Sequence, residues 1–327
     1  MSSKKISQIL RLFRDEKYRF SVLGQRGLYR WMSDEKYIKR YYKYRTGKEL
    51  NLENPSSFNE KMQWLKLHWR DKSFINMVDK YEAKRWAASI IGEDHIIPTL
   101  GVWDHFSEID FSKLPGQFVL KCTHDSGGLI ICRDKNFFDL KSAKRKINFC
   151  LRKNFYDLSR EWAYKYVKPR IIAEEYITDE YEQEEGMPVG LMDYKFFCFH
   201  GIPQLLYISK GLENHNTARI SFVDMNGKEM PFHRRDYQPF GQGIVLPRNF
   251  EEMRTIAERL AKEINCPFVR VDLYSAKGNA FFSEVTFTPC GGTIPFEPDV
   301  WDYRIGEWLQ LPSKSYQEKV KDNVFIH

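Results

Sequence analysis

Several features of secreted, membrane-spanning and metal-binding proteins are missing from this sequence of 327 residues. No apolar run approaches the roughly 18 residues that a membrane-spanning helix needs. The first 20 residues carry charges throughout their apolar part and lack a small-residue cleavage site, so we expect no signal peptide. The six cysteines form no CxxC pair, and their spacing matches neither a zinc site nor a compact disulfide framework. We therefore expect reduced, buried thiols and a cytoplasmic protein.

Motifs of several enzyme classes are absent as well. No GxxxxGK[ST] sequence occurs, which excludes a Walker-type phosphate loop, and neither GxSxG nor HExxH is present. The chain also has no Asp-x-Asp triplet, which weakens the case for a metal-dependent glycosyltransferase that uses nucleotide sugars. The chemistry must therefore come from lysines, carboxylates and a glycine-containing loop.

The basic charge is concentrated in one segment. The whole chain has a net charge of +7, whereas residues 1–50 hold 14 lysines and arginines against 5 acidic residues, together with nine aromatic side chains. Residues 51–327 are nearly neutral, at −2. We expect the basic segment to meet an anionic glycan or the inner face of the plasma membrane, where each basic residue adds about 1 kcal/mol. No nucleic-acid-binding module accompanies it, so nucleic acid is not an expected partner.

Apolar periodicity and turn residues divide the chain into helices and strands. A capped helix is expected after the sequence NPSSFNE at 54–60, and another over 79–91. A basic amphipathic helix is predicted over 139–158. Strand pairs are predicted at 118–132 and 268–287, each joined by a glycine-containing turn. These elements predict a mixed α+β fold.

A strand lysine is followed closely by a glycine-containing turn. Lys121 lies in the predicted strand FVLKC, and the Ser-Gly-Gly sequence at 126–128 comes within seven residues. A lysine and bare backbone N–H groups suit a triphosphate, because they supply one point charge and several dipoles. Taken alone, the residues favour the alternative of an ordinary hairpin turn with a lysine on an exposed edge strand.

Two carboxylates are predicted to meet across the second hairpin. Pairing across the turn at 277–279 brings Asp272 beside Glu284, and two hard oxygen ligands suit Mg²⁺ that already carries phosphate oxygens. Arg270 occupies the same strand face as Asp272, so a plain arginine–carboxylate pair is an equally good interpretation.

Adjacent glutamates in the sequence IIAEEYI lie on opposite faces of a predicted strand. Glu174 or Glu175 must therefore point inward, where its carboxylate can accept a hydrogen bond from an adenine amino group. The local sequence favours the alternative, in which the inward carboxylate pairs with a nearby lysine.

Taken in order, these residues resemble an ATP-grasp ligase over about residues 75–310. The matching strings are DKYEAK, FVLK with SGG, AEEYI, DYK, VRVD and SEVT. Longer strings such as NPSSFNEKMQWLK and FVLKCTHDSGGLIIC make the chain similar to the teichuronopeptide-biosynthesis (TupA-like) branch. The resemblance implies an ATP-grasp fold, in which two α+β subdomains clamp ATP. The implied regions are a basic helical segment at 1–70, a subdomain with the phosphate lysines at 71–170, and the hinge with a metal-binding subdomain at 171–327.

The resemblance also implies an ATP site built from both subdomains. Lys80 and Lys121 resemble the lysines that bind the phosphates, and the loop 124–128 resembles the mobile lid over them. The implied ATP-binding residues are Lys80, Lys121, His124, Asp125, Ser126, Gly127, Gly128, Glu174, Glu175, Ile177, Asp193 and Lys195.

By the same resemblance, the second hairpin holds Mg²⁺ and the reacting groups. Thr286 stands where the family pattern has asparagine, and a hydroxyl can also bind Mg²⁺. The implied metal ligands are Asp272, Glu284 and Thr286, and the implied catalytic residues are Arg270, Lys121 and Lys195.

The implied reaction is amide formation driven by ATP. A substrate carboxylate attacks the γ-phosphorus, and an amine then attacks the acyl phosphate to give an amide, ADP and phosphate. The implied substrates are a uronic acid of a bacterial surface polysaccharide (capsule, O-antigen or teichuronopeptide) and an amino acid. His124, His200 and Asp125 are candidates for the general base, although both histidines have the sequence context of exposed turns.

A basic group between the two halves of the ATP site is a candidate surface for the sugar acid. The basic candidates are Lys210, Arg219, His233, Arg234 and Arg235, and a solvated basic loop is an equally good interpretation of these five. Thr293 is a further candidate substrate residue, because it follows two glycines whose N–H groups would stabilise an oxyanion.

Two other functions stay open at this point. One is a glycosyltransferase of surface polysaccharide assembly, which would bind a sugar nucleotide in preference to ATP. The other is a scaffold that binds glycolipid or membrane through residues 1–50, in which case deletion of that segment would leave ATP binding intact.

Overall fold

The computed structural model describes residues 3–178, 190–212, 214–241 and 244–312. In these ranges the chain forms ten α-helices and eleven β-strands. The helices are α1 Ser3–Arg14, α2 Glu16–Gln25, α3 Asp34–Thr46, α4 Phe58–His68, α5 Ser73–Val78, α6 Lys80–Ile91, α7 Leu140–Leu151, α8 Tyr156–Ser159, α9 Phe250–Ile264 and α10 Val300–Trp308. The strands are β1 Thr99–Trp103, β2 Phe118–Cys122, β3 Leu129–Cys132, β4 Ile171–Glu175, β5 Met192–Phe199, β6 Ile202–Lys210, β7 Arg219–Val223, β8 His233–Arg234, β9 Phe268–Ala276, β10 Asn279–Thr286 and β11 Phe296–Glu297. No helix within these ranges has both the length and the apolar character needed to cross a membrane.

The strands build two main antiparallel sheets. The first has the order β1-β4-β2-β3, and the second has the order β10-β9-β5-β6-β7. Along β5, Phe196 and Cys198 pack into the core that contains α6 and α9, whereas Phe197 and Phe199 pack into the core that contains α4 and α10. This alternation follows from the two-residue period of a strand, and it buries both faces of the second sheet. The first sheet has its own core, to which α7 contributes Ile147.

The predicted α+β class is confirmed, and so are two helix starts. Asp79 precedes α6 and accepts hydrogen bonds from the backbone N–H groups of Tyr81 and Glu82. Ser57 and Glu60 form the reciprocal capping box of α4. In both places a short polar side chain satisfies N–H groups that the first helical turn leaves without partners.

The helix predicted over 139–158 is wrong in its length. α7 ends at Leu151, and the side chain of Asn154 then accepts the N–H of Tyr156 and begins the separate helix α8. Contacts between elements cross the predicted boundary at residue 170. β4 lies after that boundary but pairs with β1 and β2, and α6 lies before it but packs on β10. The three regions stay a prediction.

Four of the nine aromatic side chains of the basic segment are buried. Phe20, Tyr37 and Tyr41 form a buried cluster between α2 and α3. The Tyr37 hydroxyl donates to the backbone carbonyl of Asp157 at 3.0 Å, and the guanidinium of Arg160 lies 3.9 Å from the centre of the Tyr37 ring. These contacts fasten α2 and α3 to the body of the protein. Deletion of residues 1–50 would therefore remove part of the core as well as the basic surface.

Helix α4 supports the loop that follows β10. Its buried side chains Asn59, Gln63 and Lys66 recur at helical spacing and all bond to backbone atoms of that loop. Asn59 donates to the carbonyl of Ile294 and accepts its N–H, both at 2.8 Å. The loop needs such support because residues 290–292 all have left-handed backbone angles, with φ of 53°, 63° and 70°. Burial lowers the pKa of Lys66 to about 7.

Replacing Asn59 with leucine is expected to destabilise the fold by about 1–3 kcal/mol, because it leaves the buried N–H of Ile294 without a partner. The carbonyl of Ile294 loses one of its two hydrogen bonds and keeps the N–H of Phe296 at 3.0 Å. The measurement is urea unfolding followed by circular dichroism. The matched control is Asn54→Ala at an exposed asparagine, for which a change below about 0.5 kcal/mol is expected. Equal stability of the two variants would contradict a supporting role for α4.

Candidate active site

A cleft of about 770 Å³ lies between the two sheets and collects charged side chains from both. Lys121 and Glu174 enter it from the first sheet, Lys195 and Arg270 from the second, and Lys80 from the first turn of α6. Of the predicted ATP-binding residues, all except His124 line this cleft: Lys80, Lys121, Asp125, Ser126, Gly127, Gly128, Glu174, Glu175, Ile177, Asp193 and Lys195.

The glycine-containing loop is anchored at its base. The backbone N–H of Lys80 donates to the carbonyl of Thr123 at 3.0 Å, and its ammonium donates to the carbonyl of Asp125 at 2.6 Å. The buried carboxylate of Asp125 accepts the N–H of Gly128 at 2.9 Å. Within 124–128 only residues 126–127 are exposed, so the part of the predicted lid that is free of the body is this two-residue tip.

The prediction of an exposed-turn histidine is wrong for His124. Its side chain is 2% exposed, and Nε2 lies 3.2 Å from the backbone carbonyl of Cys150 in α7. Burial lowers the pKa of this imidazole, because an apolar surrounding disfavours the charged form. His200 is exposed at a turn, as predicted, and it lies outside the cleft.

Glu174 is held between two lysines. Lys84 Nζ donates to one carboxylate oxygen at 2.8 Å, and Lys121 Nζ lies 2.5 Å from the other. Burial by itself raises the pKa of Glu174, but Lys121 and Lys84 outweigh it and bring the pKa to about 2. The inward glutamate therefore has the lysine partners that the local sequence favoured, while Glu175 is exposed. Lys121 does not lie on an edge strand, because β2 is flanked by β3 and β4.

A second network of charges joins β5 to β9. Lys195 Nζ lies 3.3 Å from a carboxylate oxygen of Asp193 and 3.1 Å from one of Asp272. Ser209 on β6 donates to Asp193 at 3.4 Å. Two carboxylates share this ammonium, which raises its pKa in spite of burial. Lys195 therefore stays charged and ties Asp193, a predicted ATP-binding residue, to Asp272, a predicted metal ligand.

Arg270 contacts all three predicted metal-binding residues. Its guanidinium forms a bidentate pair with Asp272, at 2.7 and 2.6 Å, so the interpretation as an arginine–carboxylate pair is correct for this structure. The same Nη2 atom also lies 3.3 Å from Glu284 and donates to Thr286 Oγ1 at 3.0 Å. The predicted register is confirmed, since Glu284 is directly opposite Asp272 across the hairpin.

These three side chains fit Mg²⁺ in donor chemistry. Two carboxylates and a hydroxyl surround one cationic nitrogen of Arg270, which shows that they converge on a single position suited to positive charge. In the described ranges no group of three or more His, Cys, Asp or Glu side chains is placed to hold a metal. A magnesium ion here would therefore need further oxygen ligands from the nucleotide.

Most of the candidate substrate residues are not part of a solvated loop. The interpretation of these residues as a solvated basic loop is therefore wrong. Arg234 is buried, lines the cleft, and forms a bidentate pair with Asp236 at 2.9 and 2.6 Å. Lys210 and Thr293 are also buried, and neither lines the cleft. Arg235 is exposed and pairs with Glu297 at 3.0 Å. The remaining candidates, Arg219 and His233, are half-buried and also lie outside the cleft lining.

Several cleft residues escape sequence reasoning. Tyr207 and Tyr237 flank Arg234: the Tyr207 hydroxyl accepts from Arg234 at 3.2 Å, and the Arg234 guanidinium lies 4.8 Å from the centre of the Tyr237 ring. Cys290 also lines this end of the cleft, with Sγ 3.0 Å from Arg234. Aromatic residues are so frequent in this chain that periodicity alone cannot single out these two.

Comparison with known proteins gives one extensive match. The sequence pattern of the TupA-like ATP-grasp family matches residues 60–310. This range includes every cleft residue named above. No curated protein matches the chain.

Solved structures give weaker similarities. The D-alanine–D-alanine ligase from Bacillus anthracis in complex with ATP is 16% identical, with 71% of this chain and 58% of that chain covered and a TM-score of 0.36. The corresponding ligase from Helicobacter pylori is 11% identical, with 79% and 68% covered and a TM-score of 0.41. The N5-carboxyaminoimidazole synthetase from Staphylococcus aureus is 11% identical, with 64% and 44% covered and a TM-score of 0.36. The chain thus spans little more than half of the first of these proteins, and the family assignment rests on the match over residues 60–310.

Proposed function

Because the chain belongs to the TupA-like ATP-grasp family and has its α+β fold, we propose that it is an ADP-forming carboxylate–amine ligase. The observation that carries this proposal is the convergence of Lys80, Lys121 and Arg270 on one cleft beside the Asp272–Glu284 pair. Three cations around one space suit the simultaneous binding of a polyphosphate and a carboxylate, which otherwise repel each other.

The cleft residues would have different roles in such a reaction. Lys80 and Lys121 would neutralise the transferring phosphoryl group, since both ammonium groups lie on the cleft and are held by neighbours. Arg270 would stabilise the charge that develops when an amine attacks the acyl phosphate. The exposed tip at 126–127 would cover the phosphates and keep out water, which hydrolyses acyl phosphates.

Asp272, Glu284 and Thr286 would hold Mg²⁺. When bound, the ion supplies a Lewis acid that draws charge from the phosphate oxygens. Glu284 is the member that faces the cleft, and Lys80, 3.8 Å away, helps to lower its pKa against the effect of burial. This carboxylate therefore stays ionised at neutral pH.

We propose a uronic acid of a bacterial surface polysaccharide as the acid and an amino acid as the amine. The support lies at the end of the cleft formed by Arg234, Tyr207 and Tyr237. An arginine suits a sugar carboxylate, and flat aromatic rings suit the apolar face of a pyranose. Lys210, Arg219, Arg235 and Thr293 lie outside the cleft lining and are less well placed for this role.

The experiment is a screen for ADP release over uronic acids crossed with amino acids, in the presence of ATP and Mg²⁺. We expect release only when both an acid and an amine are present. ATP binding without ADP release for any pair would count against the ligase. A sugar nucleotide that binds in preference to ATP would favour a glycosyltransferase instead.

We also propose that α1 holds the protein at the cytoplasmic face of the plasma membrane. Leu10 and Phe13 are 48% and 77% exposed, and Arg11 and Arg14 lie on the same helix. Apolar side chains flanked by arginines suit the interface of an anionic bilayer.

Replacing Phe13 with aspartate is expected to weaken binding to phosphatidylglycerol vesicles by at least about 5-fold, since it removes an inserted ring and adds a repelled charge. Vesicle co-sedimentation provides the measurement. Phe137→Asp is the matched control, because Phe137 is 88% exposed and lies in the first-sheet region. If both variants bind as the unaltered protein does, α1 is not the membrane contact.

A further inference from the structure

A buried lysine lies behind the phosphate-binding face of the cleft without being part of it. Lys84 is one helical turn after Lys80 on α6, but its side chain is only 5% exposed and does not line the cleft. Its ammonium donates to Oε1 of Glu174 at 2.8 Å. The other carboxylate oxygen, Oε2, is 2.5 Å from the ammonium of Lys121, which does line the cleft. The three side chains thus form a chain of contacts from α6 through β4 to β2.

The charges of this chain of contacts do not cancel. Glu174 needs one cation to be neutralised, and Lys121 alone would supply it. Lys84 adds a second ammonium, and this one is buried, which is unfavourable unless its charge is used, because burial disfavours an ammonium ion. With Lys84 present, the three groups carry a net charge of +1. Lys121 and Glu174 line the cleft, whereas Lys84 does not.

We propose that Lys84 is a positioning residue for nucleotide binding, which holds one oxygen of Glu174 so that Lys121 can present its charge to the polyphosphate. Without Lys84, the carboxylate of Glu174 would cancel the charge of Lys121, and the cleft would lose one positive charge near the phosphates. This inference rests on ATP binding in the cleft, as proposed above, but it does not depend on which acid or amine is joined.

The test measures the affinity for the non-hydrolysable analogue AMP-PNP with Mg²⁺ by isothermal titration calorimetry. Lys84→Met is expected to raise the dissociation constant by at least about 10-fold, because the attraction of one buried charge is lost. The double variant Lys84→Met/Glu174→Gln is expected to return to within about 3-fold of the unaltered protein, because Lys121 is then free of its counter-charge. Arg85→Met, at an exposed neighbour on the same helix, is the control and should bind normally.

A double variant that binds no better than Lys84→Met would overturn the proposal, as would normal binding by Lys84→Met alone. Glu174→Gln separates the proposal from a purely structural role for Lys84, and it also provides a readout should Lys84→Met not fold. It is expected to tighten binding by about 2- to 5-fold, because the cluster becomes more positive. A purely structural role predicts no such gain, so unchanged or weaker binding by Glu174→Gln would overturn the proposal. If the unaltered protein binds no AMP-PNP, it is the proposed ATP-dependent function that fails.

Discussion

Replacing Glu284 with glutamine is expected to lower the rate of ADP formation by about 10²- to 10³-fold and to leave the fold intact. The substitution keeps the size of the side chain and removes only its charge. Glu284 faces the cleft, with one oxygen 3.3 Å from Arg270 and the other 3.8 Å from Lys80. In the proposed reaction this carboxylate is a magnesium ligand, so its charge is needed during phosphoryl transfer.

The measurement is ADP release at saturating ATP, combined with thermal unfolding. Glu297→Gln is the matched control, since this half-buried glutamate pairs only with Arg235 in the described contacts and lies outside the cleft. Its rate should match that of the unaltered protein. Near-normal turnover by Glu284→Gln would show that the reaction does not use a metal at this carboxylate.

A lysine in place of Arg270 is expected to reduce kcat by at least about 10²-fold, with a loss of stability of about 1–3 kcal/mol. The charge is kept, but an ammonium cannot reproduce the planar fork that reaches both oxygens of Asp272, at 2.7 and 2.6 Å, and also Thr286. The buried carboxylate of Asp272 would keep Lys195 as its second partner. The fold should therefore survive while the reacting groups lose their alignment.

Steady-state kinetics separate the two roles of Arg270. A fall in kcat with little change in the KM for ATP is expected if the guanidinium acts on the acyl intermediate rather than on the nucleotide. Arg235→Lys, on the surface, is the matched control and should behave normally. A change confined to the KM for ATP would assign Arg270 to nucleotide binding alone.

Much of this site could be predicted from the sequence, because its signals are local. The hairpin register that places Asp272 opposite Glu284 follows from the strand pattern and the short turn between the strands. The start of α6 follows from the capping preference of Asp79, and the position of Lys80 in the first turn follows with it. In each case residues within about 15 positions of one another determine the geometry.

The parts that sequence reasoning missed depend on contacts between distant segments. Lys84 meets Glu174 across 90 positions, and no local pattern distinguishes it from a surface lysine of an amphipathic helix. His124 is buried because α7 covers it, which the sequence of the turn does not reveal. The tyrosines of the basic segment looked like a binding surface, but Tyr37 is in the core because Asp157 and Arg160 provide its partners.

The most direct test of the proposed chemistry follows one oxygen atom. The uronic acid that supports ADP release is prepared with ¹⁸O in its carboxylate, and the phosphate that is released is analysed by mass spectrometry. Formation of an acyl phosphate transfers one carboxylate oxygen to phosphorus, so we expect one ¹⁸O atom in each phosphate and the other in the amide. Phosphate without ¹⁸O, or release of AMP and pyrophosphate in place of ADP and phosphate, would contradict the account.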